Sequence, residues 1–206
     1  MTNRRSPRRP RLAVFLSGSG RTLVNLHEHV SRGTLEAELA VVVASKECVG
    51  AERARGLGLG VVVHSGVLDE GRLLSLLDEH SIDWVVLAGY LKLLPIPARV
   101  ANRVVNIHPA LLPAFGGAGM FGHHVHEAVL AAGCKVSGCT VHLCDARYDR
   151  GPIVLQRTCE VRDDDTADTL AARVFEQECI AYPDALRLLL AGRIAVEGLR
   201  TRVRPG

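Results

Sequence analysis

The sequence predicts an α/β protein built on a doubly wound, Rossmann-like and mostly parallel sheet with helices on both faces. Short aliphatic runs alternate with segments of helical spacing through the first half of the chain, which is the pattern of successive β-α-β units. The composition is 48% hydrophobic and only 4% aromatic. A core of Val, Leu and Ala is typical of parallel strands that helices bury on both faces.

Aliphatic runs in the first half of the chain predict five strands. Turn residues or polar residues bound each run, and segments with apolar residues three or four positions apart lie between several of them. Gly18-Ser19-Gly20 turns the chain between the first strand and the first helix. The predicted strands cover residues 12–16, 39–44, 61–64, 84–88 and 104–107, and the predicted helices cover residues 21–31, 52–57 and 69–80.

The second half of the chain is less regular. Residues 109–122 are rich in Gly and Pro, which indicates a mobile loop instead of a helix. Thr166 and the two aspartates before it are suited to cap a helix, and Pro183 is expected to end or kink that helix. The predicted elements are a helix over residues 125–132, strands over residues 139–143 and 153–161, and a helix from about Ala167, with apolar spacing resuming over residues 186–190.

Length and charge favour one domain. The chain has 206 residues, which is enough for a substantial core. Much of the basic excess behind the net charge of +3 lies in residues 1–11. We interpret residues 1–11 as a disordered basic tail and residues 12–206 as a single domain. Without the tail the domain is not strongly basic, so no nucleic-acid partner is expected. No stretch approaches the roughly 18 apolar residues of a membrane helix, so no membrane partner is expected either.

The cysteines indicate a reducing compartment. Six are present, none in a Cys-x-x-Cys pair, and the apolar run after the N-terminal arginines is too short for a secretion signal. Reduced thiols and a cytoplasmic location are therefore predicted. The cluster His123-His124-x-His126 has no Cys or carboxylate at ligand spacing, so no metal ion is expected there.

Three polar side chains form the candidate catalytic set. Asn106 and His108 are two residues apart at a predicted strand end and so face the same way, and Asp149 follows a later strand. An amide can donate to a developing oxyanion, an imidazole can move a proton near neutral pH, and a carboxylate can raise the pKa of that imidazole. No obvious nucleophile lies beside them, which suggests that the substrate supplies its own. His142 is interpreted as a core residue or as support for the site.

The turn Gly18-Ser19-Gly20-Arg21-Thr22 lies between a predicted strand and a predicted helix. Backbone N–H groups at a helix N-terminus form an anion site. The third glycine of a dinucleotide-binding fingerprint would fall at Leu23, and the P-loop lysine is missing, so a phosphate monoester is the better ligand. A glycine turn used only for packing is the alternative. Because ligands of open parallel sheets bind beyond the carboxyl ends of the strands, the turn and the catalytic set are expected to share one cleft.

Together these motifs resemble those of the phosphoribosylglycinamide formyltransferases, the folate-dependent enzymes of purine synthesis. The resemblance extends in family order from Leu12 to about Ile194. Asn-x-His with a later Asp is shared by several formyl-group enzymes. Its combination with the glycine turn and the Gln-Glu…Tyr-Pro helix is more specific. The matching stretches are Phe15-Leu-Ser-Gly-Ser-Gly20, Val41-Val-Val-Ala-Ser-Lys46, Leu87-Ala-Gly-Tyr90, Asn106-Ile-His-Pro-Ala-Leu-Leu-Pro113, Gly116-Gly-Ala-Gly-Met-Phe-Gly122 with Val125-His-Glu127, Asp149-Arg-Gly-Pro152, and Gln177-Glu178 with Tyr182-Pro183.

The resemblance implies direct transfer of a formyl group from N10 of the co-substrate 10-formyltetrahydrofolate to the amine of glycinamide ribonucleotide, without a metal. Asn106 would hold the formyl oxygen, His108 would be the general acid, and Asp149 would raise the pKa of His108 and help relay the proton through water. Glu178 would lie near the amine. The residues implied to bind the phosphate and the glycinamide are Gly20, Arg21, Thr22, Phe175, Glu176, Gln177 and Glu178. Those implied to bind the folate are Leu91, Lys92, Leu93, Leu94, Asn106, Asp145, Ala146, Arg147, Tyr148 and Asp149.

Three departures from the family pattern concern substrate binding. Arg21-Thr22 stands where Ser-Asn is common, and Arg21 is a candidate for an extra phosphate contact. The segment over residues 64–83 is shorter than in better-known members, and Arg72 is the candidate to bind the folate glutamate tail. Cys179 stands where members often carry His.

Additional domains and the candidate catalytic set distinguish this function from its alternatives. A formyltetrahydrofolate hydrolase usually carries an N-terminal regulatory domain and a methionyl-tRNA formyltransferase a C-terminal tRNA-binding domain, and neither is expected in this sequence. A formyltransferase that acts on a different amine is a further alternative. A catalytically silent nucleotide-binding module would have no need of Asn106, His108 and Asp149 together. The oligomeric state is left open between a monomer and a homodimer.

Overall fold

A seven-stranded sheet forms the centre of the computed structural model, which describes residues 8–205. Five strands are parallel, and the last two make the sheet antiparallel at one edge. The predicted fold class, a mostly parallel doubly wound sheet, is confirmed. The strands are β1 (Arg11–Leu16), β2 (Glu38–Ala44), β3 (Val61–Val63), β4 (Trp84–Leu87), β5 (Val104–His108), β6 (Val136–Leu143) and β7 (Ile153–Glu160), in the spatial order β3-β2-β1-β4-β5-β6-β7.

In the described part of the chain, five α-helices cover the two faces of the sheet. They are α1 (Arg21–Ser31), α2 (Val49–Gly56), α3 (Glu70–Glu79), α4 (His123–Ala131) and α5 (Ala167–Leu190). In β1, Val14 packs into one core and Phe15 into the other, because successive strand side chains point to opposite faces. Residues of α3 pack into the core with Phe15, and residues of the other four helices pack into the core with Val14. Within residues 8–205, no helix is both long enough and apolar enough to cross a membrane.

Helix α5 passes through Pro183 and ends at Leu190. Of the two predicted effects of this proline, ending the helix is therefore wrong, and a kink stays a prediction. A proline inside a helix removes a backbone hydrogen bond and costs about 3 kcal/mol. Tyr182, Ala185 and Leu186 around it are fully buried. Burying a large apolar side chain stabilises a fold by about 1.5–3 kcal/mol, so the packing of this helix outweighs the cost of the proline.

The sequence predicts a disordered tail over residues 1–11, but β1 already begins at Arg11. Residues 1–7 lie outside the described part of the chain. Arg11 begins β1 and donates its backbone N–H to Asp83 Oδ2 at 2.7 Å. Arg8 pairs with the other oxygen of the same carboxylate at 2.9 Å. The two arginines therefore belong to the folded domain, because a carboxylate next to β1 holds both.

The sequence does not predict the C-terminal hairpin of β8 (Ile194–Glu197) and β9 (Arg200–Val203). Gly198 turns the chain between them with a φ of 63°. Thr201 Oγ1 donates to Ile153 O at 2.6 Å and ties the hairpin to the start of β7. Each strand has four residues, which is too short for a clear alternation of apolar and polar positions.

Candidate active site

Strand β5 carries two candidate catalytic side chains toward one cleft. Asn106 is partly buried and His108 is 3% exposed. They lie on the same face of the strand, as their spacing predicts. Strand β6 runs antiparallel beside β5 and sets His142 opposite Asn106. Asp149 comes from the loop that follows β6.

Four polar side chains converge at the carboxyl end of β5. Asn106 Nδ2 lies 3.1 Å from His142 Nε2 and 3.5 Å from Asp149 Oδ1. His108 Nδ1 lies 3.5 Å from Asp149 Oδ2, and His142 Nε2 lies 3.5 Å from Asp149 Oδ1. The structure thus brings together the three residues predicted as a set and adds His142 to them.

The backbone around Asp149 requires particular residue types. Asp149 has a φ of 55°, in the left-handed region that Asn and Asp adopt more readily than other side chains. A Cβ at Gly151 would lie 1.8 Å from Leu143 O, so only glycine fits there. The sequence Asp149-Arg-Gly-Pro152 therefore directs the carboxylate into the site through its backbone shape.

The loop over residues 109–122, predicted from its Gly and Pro content, contains no helix or strand. It lies directly against the catalytic set. Phe115 O lies 2.8 Å from His108 Nε2, and Gly117 N donates to Asp149 Oδ2 at 2.9 Å. The loop backbone therefore contacts both members of the His–Asp pair.

Burial and charge act in opposite directions on the His108–Asp149 pair. Burial lowers the pKa of His108, and the charge of Asp149 and the carbonyl of Phe115 oppose this without reversing it. Asp149 raises the pKa of His108 as predicted, but burial has the larger effect, so the net pKa of His108 is lowered and not raised. Burial raises the pKa of Asp149, yet neighbouring hydrogen bonds and charges, among them the backbone N–H of Gly117 and the charge of His108, outweigh burial and its net pKa is lowered. At neutral pH the pair is a carboxylate beside a neutral imidazole.

The glycine turn lies where β1 meets α1. Gly20 caps α1 with a φ of 73°, and a Cβ there would lie 2.6 Å from Gly50 Cα. Both the backbone conformation and the packing therefore require glycine. The first turn of α1 contains no acidic residue, so the positive end of the helix favours a bound anion. The guanidinium of Arg21 lies over the ring of Phe175, 4.2 Å from its centroid.

One cavity of about 340 Å³ joins this turn to the carboxyl end of β5. Its walls come from the start of α1, the end of β5 and one face of α5. The predicted site residues that line it are Gly20, Arg21, Thr22, Leu91, Asn106, His108, Phe175 and Glu178.

Only two of the four predicted residues on α5 line the cavity. Phe175 and Glu178 are three residues apart and share a helix face. Gln177 instead accepts a hydrogen bond from a β7 side chain at 3.1 Å, and Glu176 is exposed. Burial raises the pKa of Glu178 to about 7, while the charge of Arg21 opposes this rise.

Most of the predicted folate residues surround a second cavity of about 40 Å³. The ammonium of Lys92 donates to Ser45 O at 3.3 Å and to Gly66 O at 2.5 Å. Ala146 lines neither cavity, and Leu91 lines the larger one. The predicted folate residues around the smaller cavity are Lys92, Leu93, Leu94, Asp145, Arg147, Tyr148 and Asp149.

Residues 10–186 match the protein family described as formyl transferase. The chain belongs to the formyl transferase family. It is 43% identical over 196 residues to phosphoribosylglycinamide formyltransferase, chloroplastic, of Vigna unguiculata, and the match covers 91% of this chain and 63% of that protein. The chain therefore spans less than two thirds of the length of this plant relative.

Two solved structures resemble this formyl transferase along nearly their whole length. Glycinamide ribonucleotide transformylase 1 from Symbiobacterium toebii matches with a TM-score of 0.87 and 35% identity, over 97% of this chain and 96% of that one. Phosphoribosylglycinamide formyltransferase from Brucella melitensis matches with a TM-score of 0.79 and 37% identity, over 93% of this chain and 100% of that one.

His142 is the site residue of this formyl transferase that the sequence leaves ambiguous. Its ring is 1% exposed, and its Nδ1 lies 3.0 Å from Leu143 O. Because a carbonyl only accepts, Nδ1 carries a proton, and the Nε2 of the neutral ring accepts a hydrogen bond from Asn106. The contact depends on the antiparallel register of β5 and β6, for which the local sequence gives no signal.

The cluster His123-His124-x-His126 divides between two environments. His123 and His124 are exposed, whereas His126 is only 4% exposed, and both His123 and His126 line the larger cavity. In the part of the chain that the structure describes, residues 8–205, no three His, Cys, Asp or Glu side chains are grouped as metal ligands.

Proposed function

We propose that this formyl transferase moves a formyl group from N10 of 10-formyltetrahydrofolate to the amine of glycinamide ribonucleotide, a step of purine biosynthesis. The observation that carries the proposal is the single cavity that joins the N-terminus of α1 to Asn106 and His108. A helix N-terminus suits a phosphate, and an amide with an imidazole suits a tetrahedral acyl centre. The activities for which the relatives are named support the same acceptor.

Asn106 is the proposed donor to the formyl oxygen. Its Nδ2 carries two N–H groups. One of them is directed to His142 Nε2 at 3.1 Å. The other has only the long 3.5 Å contact to Asp149 Oδ1, which the formyl oxygen would replace. A donor that is already oriented stabilises an oxyanion without reorganisation as the charge develops.

His108 and Asp149 are proposed to move the proton. The amine nitrogen attacks the formyl carbon, and the bond from that carbon to N10 then breaks. The amine loses one proton and N10 gains one, so no external acid or base is consumed. A neutral His108 can take the proton and return it, while Asp149, 3.5 Å from its Nδ1, stabilises the imidazolium between the two steps.

Direct attack by the amine is favoured over a covalent intermediate on the protein. Cys144 lines the cavity beside Asp149. Burial raises the pKa of the Cys144 thiol, and the charges of Asp149 and Asp145 raise it further. A thiol that stays protonated is a poor nucleophile, so the substrate amine is left to attack the formyl carbon.

Glu178 is proposed to receive the proton of the substrate ammonium before attack. Its pKa of about 7 lies near the working pH, where a general base is most effective. It lines the same cavity as His108 and faces it from α5. An amine becomes nucleophilic only once it has lost that proton.

The folate is proposed to bind along residues 91–94 and 145–149. The cavity between them, about 40 Å³, has room for only a few water molecules. A pterin ring is larger, so these two segments must separate when it enters. The guanidinium of Arg72 lies 3.4 Å from Glu79 on its own helix, and its role toward the glutamate tail stays a prediction.

A spectrophotometric formyl-transfer assay, run with and without glycinamide ribonucleotide, tests the proposal. Turnover that requires the ribonucleotide supports it. Turnover without it would assign the protein as a hydrolase, and no turnover in either case would reject both. His108→Ala should lower kcat by a factor on the order of 10² or more, and the exposed His124→Ala serves as the matched control that keeps full activity.

Cellular location and assembly also belong to the proposal. The cysteines among the described residues are free thiols, which suits a reducing compartment such as the cytoplasm. We keep the cytoplasm as the proposed location and a monomer or homodimer as the proposed state. Fractionation and sedimentation of the full chain test the two statements separately.

A further inference from the structure

The two ring nitrogens of His108 face groups of different chemistry. Nε2 lies 2.8 Å from Phe115 O, and Nδ1 lies 3.5 Å from Asp149 Oδ2. A backbone carbonyl can only accept a hydrogen bond, so Nε2 carries a proton in both charge states of the ring. Nδ1 is then the nitrogen that gains and loses the proton.

We propose that the backbone carbonyl of Phe115 is a positioning group that fixes the tautomer of His108 and makes Nδ1 the nitrogen that handles the proton of the reaction. Because the lone pair of Nδ1 faces Asp149, the proton reaches Nδ1 through a relaying water as the amine N–H bond breaks, and it returns by the same route to N10 as the carbon–N10 bond breaks. The role of Nδ1 in the reaction rests on the proposed formyl transfer. The tautomer itself does not, because it follows from the contacts of His108 alone.

The direction of this carbonyl depends on an uncommon backbone conformation. Phe115 has a φ of 53°, which places it in the left-handed region. Side chains without branching at Cβ, Asn above all, enter this region at lower cost than branched ones. The Phe115 side chain is partly buried against the core that contains Val14, and this packing holds the residue in place.

The neighbouring loop contacts keep the carbonyl close to His108. A Cβ at Gly116 would lie 2.5 Å from Leu112 Cδ2 and 3.1 Å from Asp149 Cβ, so this part of the loop packs tightly against the carboxylate side chain. Leu112 N donates to Thr140 Oγ1 at 3.0 Å, which anchors the loop to β6. The loop therefore positions His108 and Asp149 together.

The other tautomer is disfavoured by the same contacts. With the proton on Nδ1 alone, that proton would face Asp149 Oδ2 at the long distance of 3.5 Å, whereas Nε2 would turn a lone pair toward Phe115 O at 2.8 Å and the carbonyl would lose its donor. A partly buried polar group that loses its partner costs about 1–3 kcal/mol. When Nδ1 becomes protonated as well, it gains Asp149 as an acceptor. In the charged ring, Nε2 therefore donates to Phe115 O and Nδ1 faces the Asp149 carboxylate, so both N–H groups have an acceptor.

Two substitutions at Phe115 isolate the backbone effect. Phe115→Asn and Phe115→Val both remove the aromatic ring, but only valine, which is branched at Cβ, strongly resists the left-handed conformation. The full-length protein, labelled with ¹⁵N in histidine, is examined by long-range ¹H–¹⁵N NMR, which separates protonated from unprotonated ring nitrogens. His108→Gln assigns the signals of this ring.

The expected result is a protonated Nε2 and an unprotonated Nδ1 in neutral His108 of the parent protein and of Phe115→Asn. Phe115→Val should contain both tautomers and show kcat on the order of tenfold below that of Phe115→Asn. A protonated Nδ1 with a free Nε2 in the parent protein would overturn the proposal, as would equal tautomer populations in the two variants. Because the NMR signature needs no substrate, a failure of the formyl-transfer assay would be distinguishable from a failure of this inference.

Discussion

The amide of Asn106 is oriented by His142, whose Nε2 lies 3.1 Å from Asn106 Nδ2. The two residues are direct partners across the antiparallel pair β5 and β6. His142 is itself held by Leu143 O at 3.0 Å, so its acceptor nitrogen points at the amide. The donor proposed for the formyl oxygen is thus aimed by a histidine on the neighbouring strand.

Replacing His142 should therefore impair catalysis through Asn106. His142→Ala leaves the amide free to rotate, and we expect kcat to fall on the order of tenfold or more, in line with the loss of an oriented oxyanion donor. His142→Gln, whose side-chain oxygen can accept from the amide, should retain more activity. Steady-state kinetics of the two variants check this, and equal kcat values for them would contradict the orienting role.

Asp149→Asn should lower the pKa of His108 further. The Asp149 charge is the largest effect that favours the imidazolium and opposes burial. Asparagine removes that charge with little change in shape. An NMR titration of His108 in both proteins measures the effect directly. A pKa that stays the same or rises in the variant would show that the pair is not coupled as its 3.5 Å separation indicates.

The sequence predicts the parallel part of this fold well because its signals are local. Aliphatic runs and helical spacing mark β1 to β5 and α1 to α3. The glycine turn comes just after β1, and Asn106-x-His108 forms the end of β5. The register of β6 against β5 is a long-range property, so the contact between Asn106 and His142 has no such signal. The hydrogen bond from the loop to His108 depends likewise on one left-handed residue, Phe115.

The helix face of α5 gives a second example of this limit. A contiguous run, residues 175–178, is predicted to bind substrate, but a helix turns about 100° per residue. Phe175 and Glu178 consequently line the cavity while Gln177 bonds to β7. The spacing along the helix shows which residues share a face. It does not show which of those faces lines the cavity until the packing of the helix is known.

Arg21 should contribute to binding of the phosphate-bearing substrate. The guanidinium lies over Phe175 at 4.2 Å, at the wall of the cavity beside the glycine turn. A hydrogen bond to a charged group contributes about 1.5–3 kcal/mol, so Arg21→Gln should raise KM for the ribonucleotide on the order of tenfold and leave kcat nearly unchanged.

The matched control for Arg21 is Arg32→Gln, at the C-terminal end of α1. The Arg32 side chain is exposed and pairs with Glu28 at 3.3 Å. Its kinetics should equal those of the parent protein. A ribonucleoside without the phosphate should show no difference between Arg21→Gln and the parent. A fall in kcat at unchanged KM would instead assign Arg21 to the chemical step.

Glu178 should make the folded state less stable as the pH rises. Burial raises its pKa in the folded protein from 4.5 to about 7, so between these values the folded state binds more protons than the unfolded state. By linkage, the free energy of unfolding then falls as the pH increases through this window. Because the side chain is only partly buried, the effect is on the order of 1–3 kcal/mol at most.

Glu178→Gln removes this titration, so its stability relative to the parent protein should increase from about pH 4.5 to pH 7 and remain constant above. Urea unfolding of both proteins at several pH values measures the difference between their free energies of unfolding. The other titrating groups are the same in both proteins, so their effects cancel in this difference. Glu176→Gln, an exposed neighbour on the same helix, should show no such trend. A stability difference for Glu178→Gln that is flat across the window would mean that the carboxylate is already ionised at acidic pH, and Glu178 could then not act as a base poised near neutrality.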